Sequence, residues 1–239
     1  MKYYNIIPAA LLIAAILTAC GDGNNAASKQ SPASPPTTVA ATTLPSDSAS
    51  VKTAREEAFG KNGETVFRFP ALNFGSADAK AINSEISGLY TPVFDAAKAA
   101  AKAGKTLAYS SIDYNAYVND DIISLVIADE TIDHVFSYHV YNFNKTTGKR
   151  VDNAGLIEYL QLDSNQTYAD LKQSLQNDYM SKFKYENFKK DYYYQLEMTV
   201  GDDAIKESQL FLNGNGELYA ICIERASIGK GEFYVMIAV

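Results

Sequence analysis

Three strand-like runs in the middle of the chain constrain its fold more than any other feature. They cover residues 107–118, 122–128 and 134–144, and short turns rich in Asp and Asn separate them. Connections this short join antiparallel neighbours, because parallel strands need a crossover of a dozen or more residues. The third run is mostly apolar or aromatic on both of its faces, which is typical of a strand covered on both sides. The sequence therefore predicts an antiparallel meander inside the fold.

Helical patterns lie on either side of this meander. Residues 65–72 predict a first strand, and apolar spacing of three and four residues then predicts a helix from the N-cap Ser76 to Gly104. The pair Thr91-Pro92 either kinks this helix or begins a second one. Further on, residues 154–162 predict a short helix, and Thr167-x-x-Asp170 resembles a capping box that opens a longer one.

The C-terminal part of the chain predicts a second group of strands. Residues 192–200 are ambiguous between helix and strand. The Asn-Gly pairs at 213–216 predict a tight hairpin between strands at 209–212 and 218–224, and 233–239 reads as a final strand. Because strands and helices do not alternate regularly, the expected fold class is α+β, with a mainly antiparallel β-sheet packed against two or three helices in a single domain.

The N-terminus predicts export and attachment to a lipid. Residues 6–17 form an apolar run that is too short to span a membrane but typical of a signal peptide. The run ends in Leu17-Thr18-Ala19-Cys20, which resembles the lipobox of bacterial lipoproteins. That resemblance implies a signal peptide at 1–19 and a lipid on Cys20 that anchors the chain outside the cytoplasm. Gly21 favours the outer membrane in a bacterium with two membranes. The alternative is an ordinary secretory signal with an incidental cysteine.

The segment that follows has the composition of a tether. Residues 20–63 are rich in Ala, Ser, Thr, Asn and Pro, so they bury too little apolar surface to offset their ordering entropy. We expect a flexible linker there, with a short helix at 50–59 as an alternative for its end. The folded extracytoplasmic domain is then expected at 64–239.

Cysteine content and charge restrict the chemistry and the partners. The chain has two cysteines, and a lipid on Cys20 would leave Cys222 without a disulfide partner. Cys222 lies in a strand-like run and is expected to be a buried apolar residue. The net charge of −7 makes nucleic acid and anionic lipid surfaces poor partners, whereas a basic protein would be attracted.

The residues offer no convincing catalytic or metal-binding constellation. His134 and His139 differ by five positions, so on one regular strand they would point to opposite faces. The acidic pairs Asp120-Asp121, Asp129-Glu130 and Asp202-Asp203 fall in predicted turns, where solvated carboxylates are more common than an acid–base pair across a cleft. We therefore expect no metal, no cofactor and no enzymatic activity.

One stretch, residues 133–149, resembles a known family. His134, the strand end Asn142-Phe143-Asn144 and the turn Thr147-Gly148-Lys149 are similar to motifs of an extracytoplasmic domain of unknown function. That domain occurs in RsiV-type anti-sigma factors and beside some peptidoglycan deacetylases. The motif positions His134, Asn142, Phe143, Gly148 and Lys149 carry no assigned role. Thr131-Ile132 stands where the family has glycines.

The resemblance implies a binding role, since the ectodomain of a characterised member binds lysozyme; signalling and deacetylation do not carry over. The leading hypothesis is a non-catalytic cell-envelope lipoprotein that binds a lysozyme-like basic protein or a peptidoglycan component. The alternatives are a structural component of envelope assembly and a cell-wall hydrolase that uses loop carboxylates. The contact residues and the oligomeric state stay open.

Overall fold

The computed structural model describes residues 49–60, 63, 65–183, 189–226 and 231–239. The expected signal peptide, the lipobox with Cys20 and the linker as far as residue 48 lie outside the described residues. Within them, no helix is both long enough and apolar enough to span a membrane.

In a six-stranded sheet, called the large sheet below, the strands lie side by side in chain order. Its neighbours are antiparallel, except that β2 and β3 run parallel. The predicted first strand and the predicted meander are confirmed. The strands are β1 (Val51–Phe59), β2 (Thr65–Leu72), β3 (Tyr109–Asn119), β4 (Ile122–Thr131), β5 (Phe136–Asn144) and β6 (Lys149–Val151).

Strand β1 corrects the expected boundary between linker and domain. Residues 51–59 pair with nearly the whole length of β2, so the sheet begins inside the segment assigned to the linker, and the alternative helix at 50–59 is wrong. Val51 and Phe59 are buried in the core, while the exposed positions between them are polar or Ala. Pairing and the burial of the two ends outweigh the helix-forming tendency of Ala, Arg and Glu in this segment.

One long helix, α1 (Ala77–Lys102), covers one face of the large sheet. Its N-cap is Ser76, as predicted, and the Ser76 Oγ accepts a hydrogen bond from the Ala79 N–H at 3.2 Å. The helix continues through Pro92, so the alternative of a second helix at Thr91 is wrong. Gly104, with φ of +65°, follows its last turn. The buried face of the helix is formed by Ala79, Ile82, Ile86, Tyr90, Phe94 and Ala97.

A three-stranded antiparallel sheet, the small sheet, packs on the other face of the large sheet. It consists of β7 (Gln209–Leu212), β8 (Leu218–Arg225) and β9 (Glu232–Ala238), which confirms the predicted hairpin and final strand. Phe211 and Ile221 meet Val126 of β4 between the two sheets. The interior of the meander is therefore covered on both faces, by α1 and by the small sheet, as predicted.

Four helices cover the outer face of the small sheet: α2 (Asn153–Tyr159), α3 (Ser164–Lys182), α4 (Lys189–Val200) and α5 (Asp202–Glu207). The described fold thus has five helices rather than two or three, while the α+β class is confirmed. The predicted capping box is wrong, because Asp163 is the N-cap of α3 and accepts from the Gln166 N–H at 2.8 Å. The ambiguous segment at 192–200 is helical.

Candidate functional site

Two of the family-motif residues lie in the interior. Asn142 connects the sheets, since its Nδ2 donates to the Leu210 carbonyl at 2.7 Å and its Oδ1 accepts from the Ser124 Oγ at 2.6 Å. The Ser124 Oγ in turn accepts from the Leu212 N–H at 3.0 Å. Phe143 is fully buried on the opposite face, where it packs against α1 and neighbouring core residues. Both residues therefore hold layers of the fold together.

Two further motif residues lie in the turn that precedes and begins β6. Gly148 has φ of +70°, and a Cβ placed there would lie 3.1 Å from the Cβ of Ser76, the N-cap of α1. Lys149 Nζ lies 3.9 Å from the Asp78 Oδ1 in the first turn of the same helix. Asp78 also accepts from the Arg150 N–H at 3.0 Å through Oδ2. This turn therefore abuts the start of α1, and it requires a residue that tolerates a left-handed backbone.

The fifth motif residue, His134, is at the surface. It lies in the turn before β5 with φ of +61°, and its Nδ1 is 2.6 Å from the Glu130 Oε1. That contact lowers the pKa of the Glu130 carboxyl. His139 lies within β5, with its Nε2 4.0 Å from the Asp129 Oδ2. The two histidines thus face different carboxylates and do not converge on one site.

Two of the three acidic pairs are not in turns. Asp120-Asp121 does form the β3–β4 turn, but Asp129 and Glu130 belong to the end of β4. Asp129 is buried against α1, where it accepts a hydrogen bond from the Tyr90 hydroxyl at 3.1 Å, and burial raises the pKa of this carboxyl. Asp202-Asp203 forms the first turn of α5, a position that the helix dipole favours. The pairing of β4 with β5 extends further than the apolar pattern alone indicated.

The connection between β4 and β5 carries the most concentrated exposed apolar surface on a described loop. We call residues 130–136 the β4–β5 tip. Ile132, Val135 and Phe136 are 46%, 53% and 43% exposed, although all three are large apolar residues. Asp133 and Glu130 place carboxylates among them. A cluster of this kind is typical of a contact surface, whereas single exposed apolar residues are ordinary.

The tip is held in one shape by its own hydrogen bonds. The Thr131 N–H donates to the Val135 carbonyl at 3.0 Å, and the His134 N–H donates to the Thr131 carbonyl at 3.0 Å. The Ile132 N–H donates to the Ala108 carbonyl at 3.2 Å, which ties the tip to the segment before β3. Sequence patterns provide no separate signal for this surface, because its residues fall partly in a predicted turn and partly in a predicted strand.

A charged cluster with one buried member lies between α3 and β8. Glu224 is 1% exposed, and its Oε2 lies 3.0 Å from Lys182 Nζ, which also bonds Asp178. Its Oε1 has no hydrogen-bond partner, and neither has the buried Tyr179 hydroxyl. Burial raises the pKa of Glu224 to about 7. The sequence reasoning missed this cluster, because Glu224 is distant in the chain from Asp178 and Lys182 and ends a run with the pattern of an ordinary strand.

Neither Cys222 nor a polar groove beside α2 offers a reactive group. Cys222 is buried, and burial raises the pKa of its thiol to about 12, so the predicted structural role is confirmed. A groove of 470 Å³ runs along α2, α5 and the start of β7. Its amide side chains are already engaged, since Gln209 bonds the backbone of β5 and Asn153 bonds the backbone around β7. In the part of the chain that the structure describes, no group of three or more His, Cys, Asp or Glu side chains is placed to hold a metal ion.

Comparison with models of protein families finds no match, and comparison with curated protein sequences finds none either. The resemblance to the RsiV-type extracytoplasmic domain therefore stays a prediction. Of its five motif positions, Asn142, Phe143 and Gly148 support packing, Lys149 is an exposed residue near Asp78, and His134 lies at the β4–β5 tip.

Proposed function

We propose that this chain is a non-catalytic lipoprotein of the bacterial cell envelope, anchored through Cys20, whose folded domain binds a basic protein. A lysozyme-type hydrolase is the sharpest candidate for that partner. The observation that carries the proposal is the β4–β5 tip, where three large apolar side chains are exposed within five residues beside carboxylates. Exposed apolar anchors surrounded by polar groups are the usual centre of a protein–protein contact.

The rigidity of the tip favours binding. Three backbone hydrogen bonds and the contact between His134 and Glu130 already hold the loop, so little conformational entropy remains to be lost when a partner docks. Phe136 also stacks on Tyr138, with ring centroids 6.5 Å apart, which restricts the orientation of the most bulky anchor. A preorganised anchor of this kind contributes more affinity than a mobile one of equal area.

The charges favour a basic partner over an acidic one. The chain carries a net charge of −7, and Asp133 and Glu130 lie at the proposed contact itself. Complementary charge chiefly accelerates the encounter and weakens with added salt, whereas the apolar anchors determine how long the complex lasts. Binding should therefore weaken with salt without being abolished.

The enzymatic alternative is less well supported. A glycosidase needs two carboxyl groups that face each other across an open cleft. Asp178 and Glu224 do approach one another through Lys182, but Glu224 is buried beneath α3. We therefore favour a domain that binds its ligand without transforming it.

Calorimetric titration of the full chain with lysozyme, and separately with soluble peptidoglycan fragments, tests the proposal. At low salt we expect saturable binding of lysozyme. Phe136→Ser should weaken it by about tenfold or more, as expected for an apolar hot spot. Leu162→Ser is the matched control, because Leu162 is similarly exposed at 46% but lies after α2, outside the tip.

Absence of lysozyme binding at low salt would overturn the choice of partner, and equal losses in the two variants would overturn the choice of surface. Binding of peptidoglycan fragments alone would favour a wall ligand instead. The anchor is tested separately by feeding a labelled fatty acid to the cells. The label should be retained on the native chain and lost from Cys20→Ala.

A further inference from the structure

In the part of the chain that the structure describes, the two sheets end in the strands β1, β6, β7 and β9, and these edge strands are shielded very unequally. An unpaired edge strand presents backbone N–H and C=O groups that pair readily with another chain, so folded proteins usually shield it with charges, bulges, short length or covering side chains. In the large sheet, β1 is interrupted by an irregularity between Thr53 and Arg55 and exposes Lys52 and Glu56. Strand β6 has three residues, and Asp78 bonds the N–H of Arg150 within it.

Strand β7 of the small sheet is sealed by side chains from other layers. Its outward-facing groups belong to Leu210 and Leu212, since the Asn213 N–H turns inward to the Glu217 carbonyl. The Leu210 N–H donates to Asn153 Oδ1, and its carbonyl accepts from Asn142 Nδ2. The Leu212 N–H donates to the Ser124 Oγ. This edge is therefore closed to any further strand.

Strand β9 lacks these protections beyond Glu232 at its start. It is seven residues long, and from Phe233 to Ala238 it contains neither a charged residue nor a proline. Among the described residues it pairs with β8 alone. Phe233 and Met236, which lie on opposite faces of the strand, are 46% and 48% exposed, so the edge is open on both sides.

The register identifies which backbone groups of β9 face outward. The Val239 N–H donates to the Leu218 carbonyl at 3.0 Å, and the Ala226 N–H donates to the Gly231 carbonyl at 2.8 Å. Odd-numbered positions of β9 therefore direct their N–H and C=O toward β8. By the alternation of an antiparallel ladder, the even-numbered positions 232, 234, 236 and 238 direct theirs to the free edge.

We propose that β9 is a dimerisation edge, on which the β9 strand of a second copy of this chain pairs antiparallel about a two-fold axis at Val235. This register uses the whole strand and joins the two small sheets into one continuous sheet. It sets Tyr234 opposite the second copy's Met236, an aromatic–thioether pair that is favourable across strands. It sets Glu232 opposite the second copy's Ala238, so no charge meets a like charge.

This charge pattern is the reason to commit to a second copy. A strand that carries one charge at one end and none elsewhere pairs with its own reverse without placing like charges opposite each other, and an antiparallel two-fold interface sets a strand against its own reverse. The proposal is independent of the β4–β5 tip, because a monomer could present that tip equally well.

Sedimentation velocity of the full chain over a wide range of concentration tests the proposal. We expect the native chain to sediment as a dimer that dissociates on dilution. Met236→Pro should sediment as a monomer at every concentration, because it removes an outward N–H while leaving the ladder between β8 and β9 intact; proline is tolerated in this position of an edge strand. Met236→Ala keeps the N–H and should retain most of the dimer.

A native chain that is monomeric at all concentrations would overturn the proposal, and so would a Met236→Pro chain that still forms dimers. Circular dichroism establishes that each variant is folded. If the proline variant is unfolded, Met236→Lys is used in its place. A charged lysine on an edge strand opposes pairing with a second strand, and this change preserves every backbone N–H and C=O group. A folded Met236→Pro monomer that still binds lysozyme would separate this interface from the proposed partner surface.

Discussion

Asn142 offers the sharpest test of how the two sheets are held together. Its amide side chain is 5% exposed and bonds the Leu210 carbonyl of β7 and the Ser124 hydroxyl of β4. Replacing it by alanine removes the donor to the Leu210 carbonyl in β7, an edge strand of the small sheet that packs against the large sheet. The Leu210 carbonyl would then face the large sheet without its partner.

The expected loss in the free energy of unfolding follows from the groups that lose hydrogen-bond partners. Two hydrogen bonds are lost, each with a net contribution of about 1 kcal/mol, and a buried carbonyl left without a donor costs about 1–3 kcal/mol more. We therefore expect Asn142→Ala to lower the free energy of unfolding by about 3–5 kcal/mol, which is a large part of the stability of a typical domain. Ser124→Ala should cost a similar amount, because it removes the bond to Asn142 and leaves the buried Leu212 N–H without its acceptor.

Urea unfolding followed by circular dichroism measures these differences. Asn177→Ala is the matched control: Asn177 is exposed on α3, and surface changes of this kind usually alter stability by less than about 0.5 kcal/mol. The double variant Ser124→Ala/Asn142→Ala should be less destabilised than the sum of the single variants, since both remove the same bond between the side chains. A loss below about 1 kcal/mol for Asn142→Ala, or strict additivity, would refute this account of the interface.

Two further predictions concern Glu224 and Gly148. The pKa of Glu224 is raised from 4.5 to about 7 in the fold, so the folded state binds the proton more tightly and its stability should fall as the pH rises from about 4.5 to about 7. The shift corresponds to about 3 kcal/mol at most, and Glu224→Gln should flatten that pH dependence in urea titrations; an unchanged profile would contradict it. Gly148→Ala should cost about 1–2 kcal/mol, because φ is +70° and the new Cβ meets Ser76. In thermal unfolding, Gly88→Ala in α1 should instead be neutral or stabilising, because nothing lies within 4 Å of its added Cβ; the same response at both glycines would refute the difference.

Local patterns predicted most of the secondary structure. The meander, the N-cap at Ser76 and the hairpin at 213–216 each depend on neighbours in the chain, and the structure confirms them. Strand β1 could not be predicted in the same way, because its polar composition favours a linker or a helix and its stability comes from pairing with β2. The division into two sheets likewise depends on contacts between distant residues, such as Asn142 with Leu210.

The candidate surfaces are harder to predict from the sequence than the fold is. The exposure of Ile132, Val135 and Phe136 depends on where β5 begins. The sequence alone does not distinguish an apolar residue that is buried near a strand end from one that is exposed there. The open edge of β9 became visible only through the registers of all the strands, which show that β7 is sealed and β9 is not. The charged cluster at Glu224 depends on α3 crossing β8, and no spacing in the chain indicates that.

The motif residues have different structural roles, and these roles limit what the family resemblance implies about the binding partner of this chain. Asn142 and Phe143 hold layers together, and Gly148 lies against the start of α1, so a chain that shares these three positions shares the same packing there. The anchors of the proposed contact include Val135 and Phe136, which are exposed and make no comparable demand on the fold. Related domains could therefore keep the packing residues and differ at the tip. The motif residues therefore do not identify the partner of this chain. The proposed binding surface is tested by comparing the lysozyme affinity of Phe136→Ser with that of Leu162→Ser.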